Sequence, residues 1–501
     1  MDARGLAAAP RAAHRASPRR RLGPALHPRA GGVPPGDRPR QVLAAGGSHR
    51  PGLRRPQPRV RLSAAGGLRR VSDQRQRLLD VAQAEGRLTS VVGAVFDRYG
   101  AVWAGGAGTA PGIDGQYRIG SITKSMTAVL VMQARDAGLL DLTDRLGDHL
   151  GDVGYAEVSI RDALAHTSGM QSEPRGPWWE RTRGGDFDAL VAANDGAGRV
   201  AGAGEWFHYS NLGFGLLGEV LARRLGAPWR HLVAERLLQP LGMRATSYLP
   251  RPGAQPGWSV HHFTGIRVHE PLTDTGAMAP AGQLWSTLGD LVVWGQLLGG
   301  ARPDVLAAGT LAEMGRAVQP GYGLGLMLGV HPGGRLVGHD GSMPGFLASL
   351  QVDPDSGIGA VVLANATTGI APQELAVSLI EGDPDADSAR PAPWRPTLVL
   401  PDDVVGVPGV WFWGNTAYDV RWHNEGLELR LMARGGLLKE RFELVDGGLV
   451  GVSGYHRGER LEVVRRDDGS IRNLECATFV YTRTPYDPEV DIPGGHPRLP
   501  S

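Results

Sequence analysis

Apolar positions fall into a regular pattern from about Asp73 onward. In DQRQRLLDVAQAEG, Leu78, Leu79, Val81 and Ala82 share one side of a helix. SVVGAVFDRYG and AVWAGGAG follow as a strand pair turning at Tyr99-Gly100. In RIGSITKSMTAVLVMQARDAGLL, Met126, Val129, Leu130 and Met132 recur at mixed helical spacings, which predicts a helix buried on most of its surface. The pattern predicts further helices over 159–166, 186–194, 211–225, 228–239, 286–298 and 371–382. Strands are predicted over 322–329, 335–339, 344–352 and 357–364. Strands, then helices, then strands again predict an α+β fold, with one antiparallel sheet flanked by segregated helices.

A Pro/Asp-rich run, DPDADSARPAPWRPTLVL, interrupts the pattern at 383–400. Beyond it GVWFWG, AYDVRWH, LELRLM, RFELV, LVGVSG, LEVVRR and ATFVYTR are short alternating runs between turn residues. They predict a small all-β domain, a barrel or a sandwich. The expected organisation is an extension over 1–72, the α+β domain over 73–383 and a linker over 384–400. The β domain follows over 401–487, with a tail over 488–501.

Charge separates the extension from the rest. Residues 1–70 hold sixteen arginines against Asp2 and Asp37, so the remainder carries the acidic excess behind a net charge of only +2. An acidic folded region argues against a nucleic-acid partner. The extension mixes Arg, Pro, Gly and Ala with no lasting apolar period, and is expected to be disordered. It reads as an over-long start upstream of the true one or as an arm for anionic surfaces. It lacks the apolar core of a secretory signal, so a cytoplasmic location is expected. No apolar run approaches the roughly 18 residues of a membrane span. The single cysteine, Cys476, excludes an intrachain disulfide and argues against any cysteine-based zinc site, and is expected to be a buried small hydrophobe. His261 and His262 lack carboxylate or cysteine neighbours at ligand spacing, so no metal is expected, and no cofactor.

Candidate chemistry centres on Lys124. The chain has only two lysines, Lys124 and Lys439, and otherwise uses arginine for positive charge. Lysine gives up its proton when desolvated, whereas arginine in practice does not. Ser121 precedes it by three positions, one turn back on the same helix face, so amine and hydroxyl can meet. The helix N-terminus supplies N–H groups and a positive dipole end that favour an alkoxide and an oxyanion. The competing reading is a chance pair in which Ser121 only caps the helix.

Ser121-Ile-Thr-Lys124, then Tyr209-Ser210-Asn211, then His339-Asp340-Gly341 stand in the order of the three active-site elements of class C β-lactamases. The chain resembles that family, whose relatives include penicillin-binding proteins, D-aminopeptidases and family VIII esterases. ALAHTSGM at 163–170, YSNLGFGLLGEVL at 209–221, QLWSTLGDL at 283–291, YGLGL at 322–326 and GHDGSMPGF at 338–346 share the likeness, which spans about 73–383. It implies a β-lactamase-like serine hydrolase with Ser121 as nucleophile and Lys124 as base. Tyr209 would be a second proton-transfer group, with its phenol lowered by the Lys124 ammonium. Asn211 would bind a substrate carbonyl and orient Lys124, or cap the helix 212–225. His339 and Gly341 would line the cleft, and the Ser342 and Ser121 N–H groups would form the oxyanion hole. His166 is expected to be structural. Trp178, Trp179 and Trp206 wall the pocket or pack in the core.

The family's β-lactamases mostly carry lysine where His339 stands, and a histidine largely neutral at pH 7 weakens anion recognition. The resemblance therefore implies an esterase or D-amino-acid amidase acting on a small ester, amide or peptide. The alternatives are a β-lactamase or D-Ala-D-Ala carboxypeptidase, and a ligand receptor that has lost turnover.

Overall fold

The computed structural model describes residues 64–112, 114–382 and 389–497. The expectations for residues 1–63 and 498–501 lie outside them. Helix α1, Ala64–Gly86, begins ahead of the expected start near Asp73. The added turns begin on Ala64 and Ala65 and include Leu68, Arg69 and Arg70, which favour a helix, although Gly66 and Gly67 oppose it and kept the sequence pattern from showing it.

Six strands form one sheet, antiparallel throughout. They are β1 Ser90–Asp97, β2 Gly100–Gly108, β3 Met327–His331, β4 Gly334–Met343, β5 Phe346–Val352 and β6 Gly359–Ala364. Their spatial order is β2-β1-β6-β5-β4-β3, so the first strand of this sheet in chain order pairs with its last. Alternation along β1 explains why it is buried on both faces. Val91 and Val95 join Leu79 of α1 and Leu379 of the helix Pro372–Glu381 on one side. Val92, Ala94 and Phe96 face the larger helical core on the other. The expected strand over 322–329 starts only at Met327. Residues 322–326 turn instead, because Gly325 adopts φ 69° and lies against Ala128, where a Cβ would come within 2.2 Å.

Helix α2, Ile122–Asp136, runs through the large core with nearly every residue buried. Its buried polar side chains find partners. Ser125 Oγ accepts from the Trp294 indole, and Thr127 Oγ1 accepts from that of Trp229. Helix α3, Asn211–Leu225, packs beside it, and its sequence patterning matches its full length. Among the described residues no helix is long and apolar enough to cross a membrane.

The C-terminal region is an eight-stranded up-and-down barrel. Phe412 and Thr482 close it by exchanging backbone hydrogen bonds of 2.8 and 2.9 Å. Trp411, Val420, Leu427, Phe442, Leu461 and Leu474 fill its interior. Seven strands coincide with the alternating runs; the eighth, Ile471–Cys476, hides in the polar sequence IRNLEC. The barrel docks on the α+β region through His262, whose Nε2 lies 2.9 Å from Asp419 Oδ2. The Trp422 N–H donates to the Phe263 carbonyl beside it.

Candidate active site

Ser121 stands at the N-terminus of α2, but its side chain does not cap the helix. Its Oγ lies 2.9 Å from Lys124 Nζ, as the i, i+3 spacing requires. The capping reading of Ser121 therefore fails. Lys124 is fully buried, and its amine also donates to Asn211 Oδ1 at 2.5 Å and the Ala281 carbonyl at 2.7 Å. Both of these partners accept only. A neutral amine places its two N–H bonds there and turns its lone pair to the Ser121 hydroxyl. Desolvation lowers Lys124 to about 7, against the opposing pull of Glu173 and Glu180.

Asn211 is the first residue of α3, and the cap is Ser210, whose Oγ accepts from the Gly213 N–H. The Asn211 amide is thereby released from capping. Its Nδ2 donates to Glu173 Oε1 at 2.7 Å while Oδ1 holds Lys124.

The Tyr209 ring sits with its centroid 5.0 Å from Lys124 Nζ, and its hydroxyl hydrogen-bonds Ser121. Its phenol is pushed up, not down. Burial outweighs the Ser121 hydrogen bond, and Glu173, Asp340 and Glu180 add to the rise. The expectation of a lowered phenol is thus reversed, because the cost of burying a phenolate is the largest effect on this group.

His339 is buried with both ring nitrogens engaged inside the protein. Nδ1 lies 2.7 Å from the Asp340 carbonyl, so it carries the proton. Nε2 then accepts from the Tyr322 hydroxyl at 3.0 Å. Burial, with the Lys124 charge, lowers the imidazole to about 3, so it is neutral. His339 stands beside Tyr209, with ring centroids 6.3 Å apart, but presents no unshared nitrogen to a ligand.

Two glycines bring the cleft's backbones together. A Cβ on Gly341 would fall 1.9 Å from the Ile119 carbonyl. Gly120, at φ 52°, abuts the Ser342 nitrogen, with 2.6 Å to a built Cβ. Ser121 and the exposed Ser342 are therefore neighbours across this contact.

Several contacts at the site gave no signal in the sequence. Tyr322 holds His339. Glu173 takes the Trp179 indole N–H at 2.6 Å, and Glu180 takes that of Trp178 at 2.8 Å. Trp179 is thus a buried support, whereas Trp178 and Trp206 are exposed. His166 is buried at φ 56°, accepts from the Ser210 N–H at 3.0 Å, and stacks 4.1 Å from Tyr209. It braces the Tyr209 segment, as a structural histidine would.

The beta-lactamase family profile matches residues 75–380. The chain belongs to the beta-lactamase family. A penicillin-binding protein 4 of Amycolatopsis lactamdurans is 30% identical over 52% of this chain and 74% of its own length. The D-alanyl-D-alanine-carboxypeptidase/endopeptidase AmpH of Escherichia coli is 30% identical over 40% of this chain and 53% of its own. A D-aminopeptidase of Brucella anthropi is 23% identical over 70% and 66%. Among solved structures, a D-stereospecific amidohydrolase from Streptomyces superposes with TM-score 0.54 and 28% identity, covering 62% of this chain and 98% of that one. A D-amino acid amidase from Ochrobactrum anthropi shares the fold at TM-score 0.52 and 22% identity, covering 62% and 96%. Residues 400–483, the barrel, match a domain of unknown function, DUF7586. This beta-lactamase-family chain thus has serine hydrolases that act on amides and peptides among its relatives.

Proposed function

We propose that the protein is an acyl-enzyme hydrolase of D-amino-acid amides or short N-terminal D-peptides, with Ser121 as nucleophile. The observation that carries the substrate class is electrostatic. Glu173 and Glu180 lie close enough to act on Lys124, while position 339 holds a neutral histidine in place of a fixed cation. That balance favours a substrate ammonium over the carboxylate of a β-lactam. Glu173 is exposed and keeps lone pairs beyond those given to Asn211 and Trp179.

In the mechanism, Lys124 takes the Ser121 proton as Oγ attacks the carbonyl carbon and the carbonyl π electrons move to oxygen. The N–H groups of Ser121 and Ser342 hold the oxyanion. Tyr209, a protonated phenol, gives its proton to the departing amine as the C–N bond breaks, and is reprotonated through Lys124. Water then attacks the acyl-enzyme with the same groups as base and acid. The D configuration of the substrate draws on the relatives and the solved structures above.

Intact-mass labelling by a fluorophosphonate tests the nucleophile. Wild type should label, Ser121→Ala should not, and Lys124→Arg should be strongly slowed. Turnover of D-phenylalanine amide should exceed that of the L form, and Glu173→Gln should weaken it by about tenfold relative to an ester without an ammonium. Faster turnover of a chromogenic cephalosporin would replace this reading with a β-lactamase. A folded wild type that fails to label would replace it with a receptor.

A further inference from the structure

The barrel carries a second buried polar cluster, outside the hydrolase site and unassigned by its chemistry. His456 lies in the loop between the strands Gly448–Ser453 and Arg460–Arg465, and is only 1% exposed. Its Nδ1 lies 2.7 Å from Glu440 Oε2, and its backbone N–H faces the same oxygen at 3.3 Å. A carboxylate accepts only, so Nδ1 carries the proton and the Nε2 lone pair is left over. Nε2 is buried and has no hydrogen-bond partner. A buried nitrogen with its lone pair unused calls for an explanation. A ring nitrogen of His456, a carboxylate oxygen of Glu459 and the Sγ of Cys476 all lie within 4.8 Å of one another, and Nε2 is the nitrogen that Glu440 leaves without a partner.

We propose that His456, Glu459 and Cys476 form a binding site for a zinc-class divalent cation, with Glu440 holding the imidazole from behind. Nitrogen, thiolate and carboxylate donors are the ligand set of zinc. Donor atoms around a tetrahedral zinc lie about 3.3–3.8 Å apart, given bonds of about 2.0–2.3 Å, so only small shifts close the site. The Glu440 contact is the carboxylate–histidine pairing that fixes the tautomer of a metal-bound imidazole. Three protein donors leave one position open, and exposed Glu459 gives access from solvent. The loop is already seated: a Cβ on Gly451 would come within 2.1 Å of the His456 carbonyl oxygen. Burial, with the charges of Glu459 and Glu440, pushes the thiol up to about 12 without a cation. Binding the ion converts that thiol to a thiolate and releases its proton to water.

One cysteine excludes a paired-cysteine zinc motif, but it does not exclude this mixed set. His456 and Glu459 come from one loop, and Cys476 from the end of a strand that the polar sequence IRNLEC conceals. The expectation of no metal rested on His261 and His262, which lie elsewhere, and on the single cysteine being too few for a cysteine-based zinc site.

The test uses the full chain, stripped with EDTA and titrated with Zn²⁺ or Co²⁺. One equivalent of zinc by elemental analysis is expected, and a thiolate-to-cobalt charge-transfer band in the near ultraviolet. Because the chain has a single cysteine, that band reports this site alone. Cys476→Ser should abolish it. Glu459→Gln, at an exposed position, should weaken affinity by at least about tenfold, and Glu440→Gln by about 10–100-fold. Circular dichroism establishes that each variant is folded. A folded wild type without the band, or zinc content equal in wild type and Cys476→Ser, would overturn the proposal.

Discussion

Lys124 and His456 are both buried bases, one in each region of the molecule, and their hydrogen bonding differs in a telling way. Every valence of the Lys124 amine is used: Asn211 and Ala281 take its protons, and Ser121 faces its lone pair. His456 is held on one side only, by Glu440; its other nitrogen has no hydrogen-bond partner, and Glu459 and Cys476 bring two further donor atoms to within 4.8 Å of the imidazole. A closed network of this kind fixes one reactive pair in place, which suits proton transfer. A half-open network is complete only when something else arrives.

The most severe way to break the closed network is Lys124→Arg, which keeps the charge and removes the base. Fluorophosphonate labelling should slow by about 10²–10⁴-fold, while Lys439→Arg, at the exposed lysine, should leave it unchanged. Acid should act on the same amine. Lys124 is held at about 7, so below that pH the ammonium cannot accept the Ser121 proton. Labelling should fall about tenfold per pH unit, or roughly 100-fold at pH 5, and level off above pH 7. The same depressed value makes the unfolded state bind more protons than the native one between about 7 and lysine's ordinary 10.5, so this group's contribution to stability rises with pH there. For the half-open network, zinc at a hundred times its dissociation constant should raise unfolding stability by about 2.7 kcal/mol, read by chemical denaturation. Cys476→Ser should show none of that gain. Smallest is Asn211→Ala, which removes one acceptor from Lys124 and should slow labelling by about tenfold, the worth of one hydrogen bond.

Much of the hydrolase-like region was legible because its signals are local. Ser121 and Lys124 are one turn apart, and α2 and α3 announce themselves by buried periodicity. Capping was legible only to within a residue, since Ser210 and Asn211 are both good caps and tertiary contact with Lys124 decides between them. Groups that act across the fold left no trace. Tyr322 meets His339 only because β4 brings them together, and Glu173 reaches Asn211 from a loop without regular structure. Tyr209 was placed correctly beside Ser121 and Lys124, but its proton affinity followed from burial that no spacing reveals. In the barrel, alternation exposed seven strands, while Ile471–Cys476 mixes polar residues into both faces and so hid the cysteine's neighbours.

The pairing of β1 with β6 sets the order in which the molecule can be made. Ser121 leaves the ribosome early, but Ser342 and the strand that completes the sheet follow only after more than two hundred further residues. At ordinary elongation rates that is a delay of roughly 10–50 s. Through that interval α2, which the folded chain buries on nearly all sides, has only the β1–β2 pair of its sheet to cover it. Nascent chains of this protein should therefore depend on chaperones, and the nucleophile gains its oxyanion partner only once synthesis is nearly over.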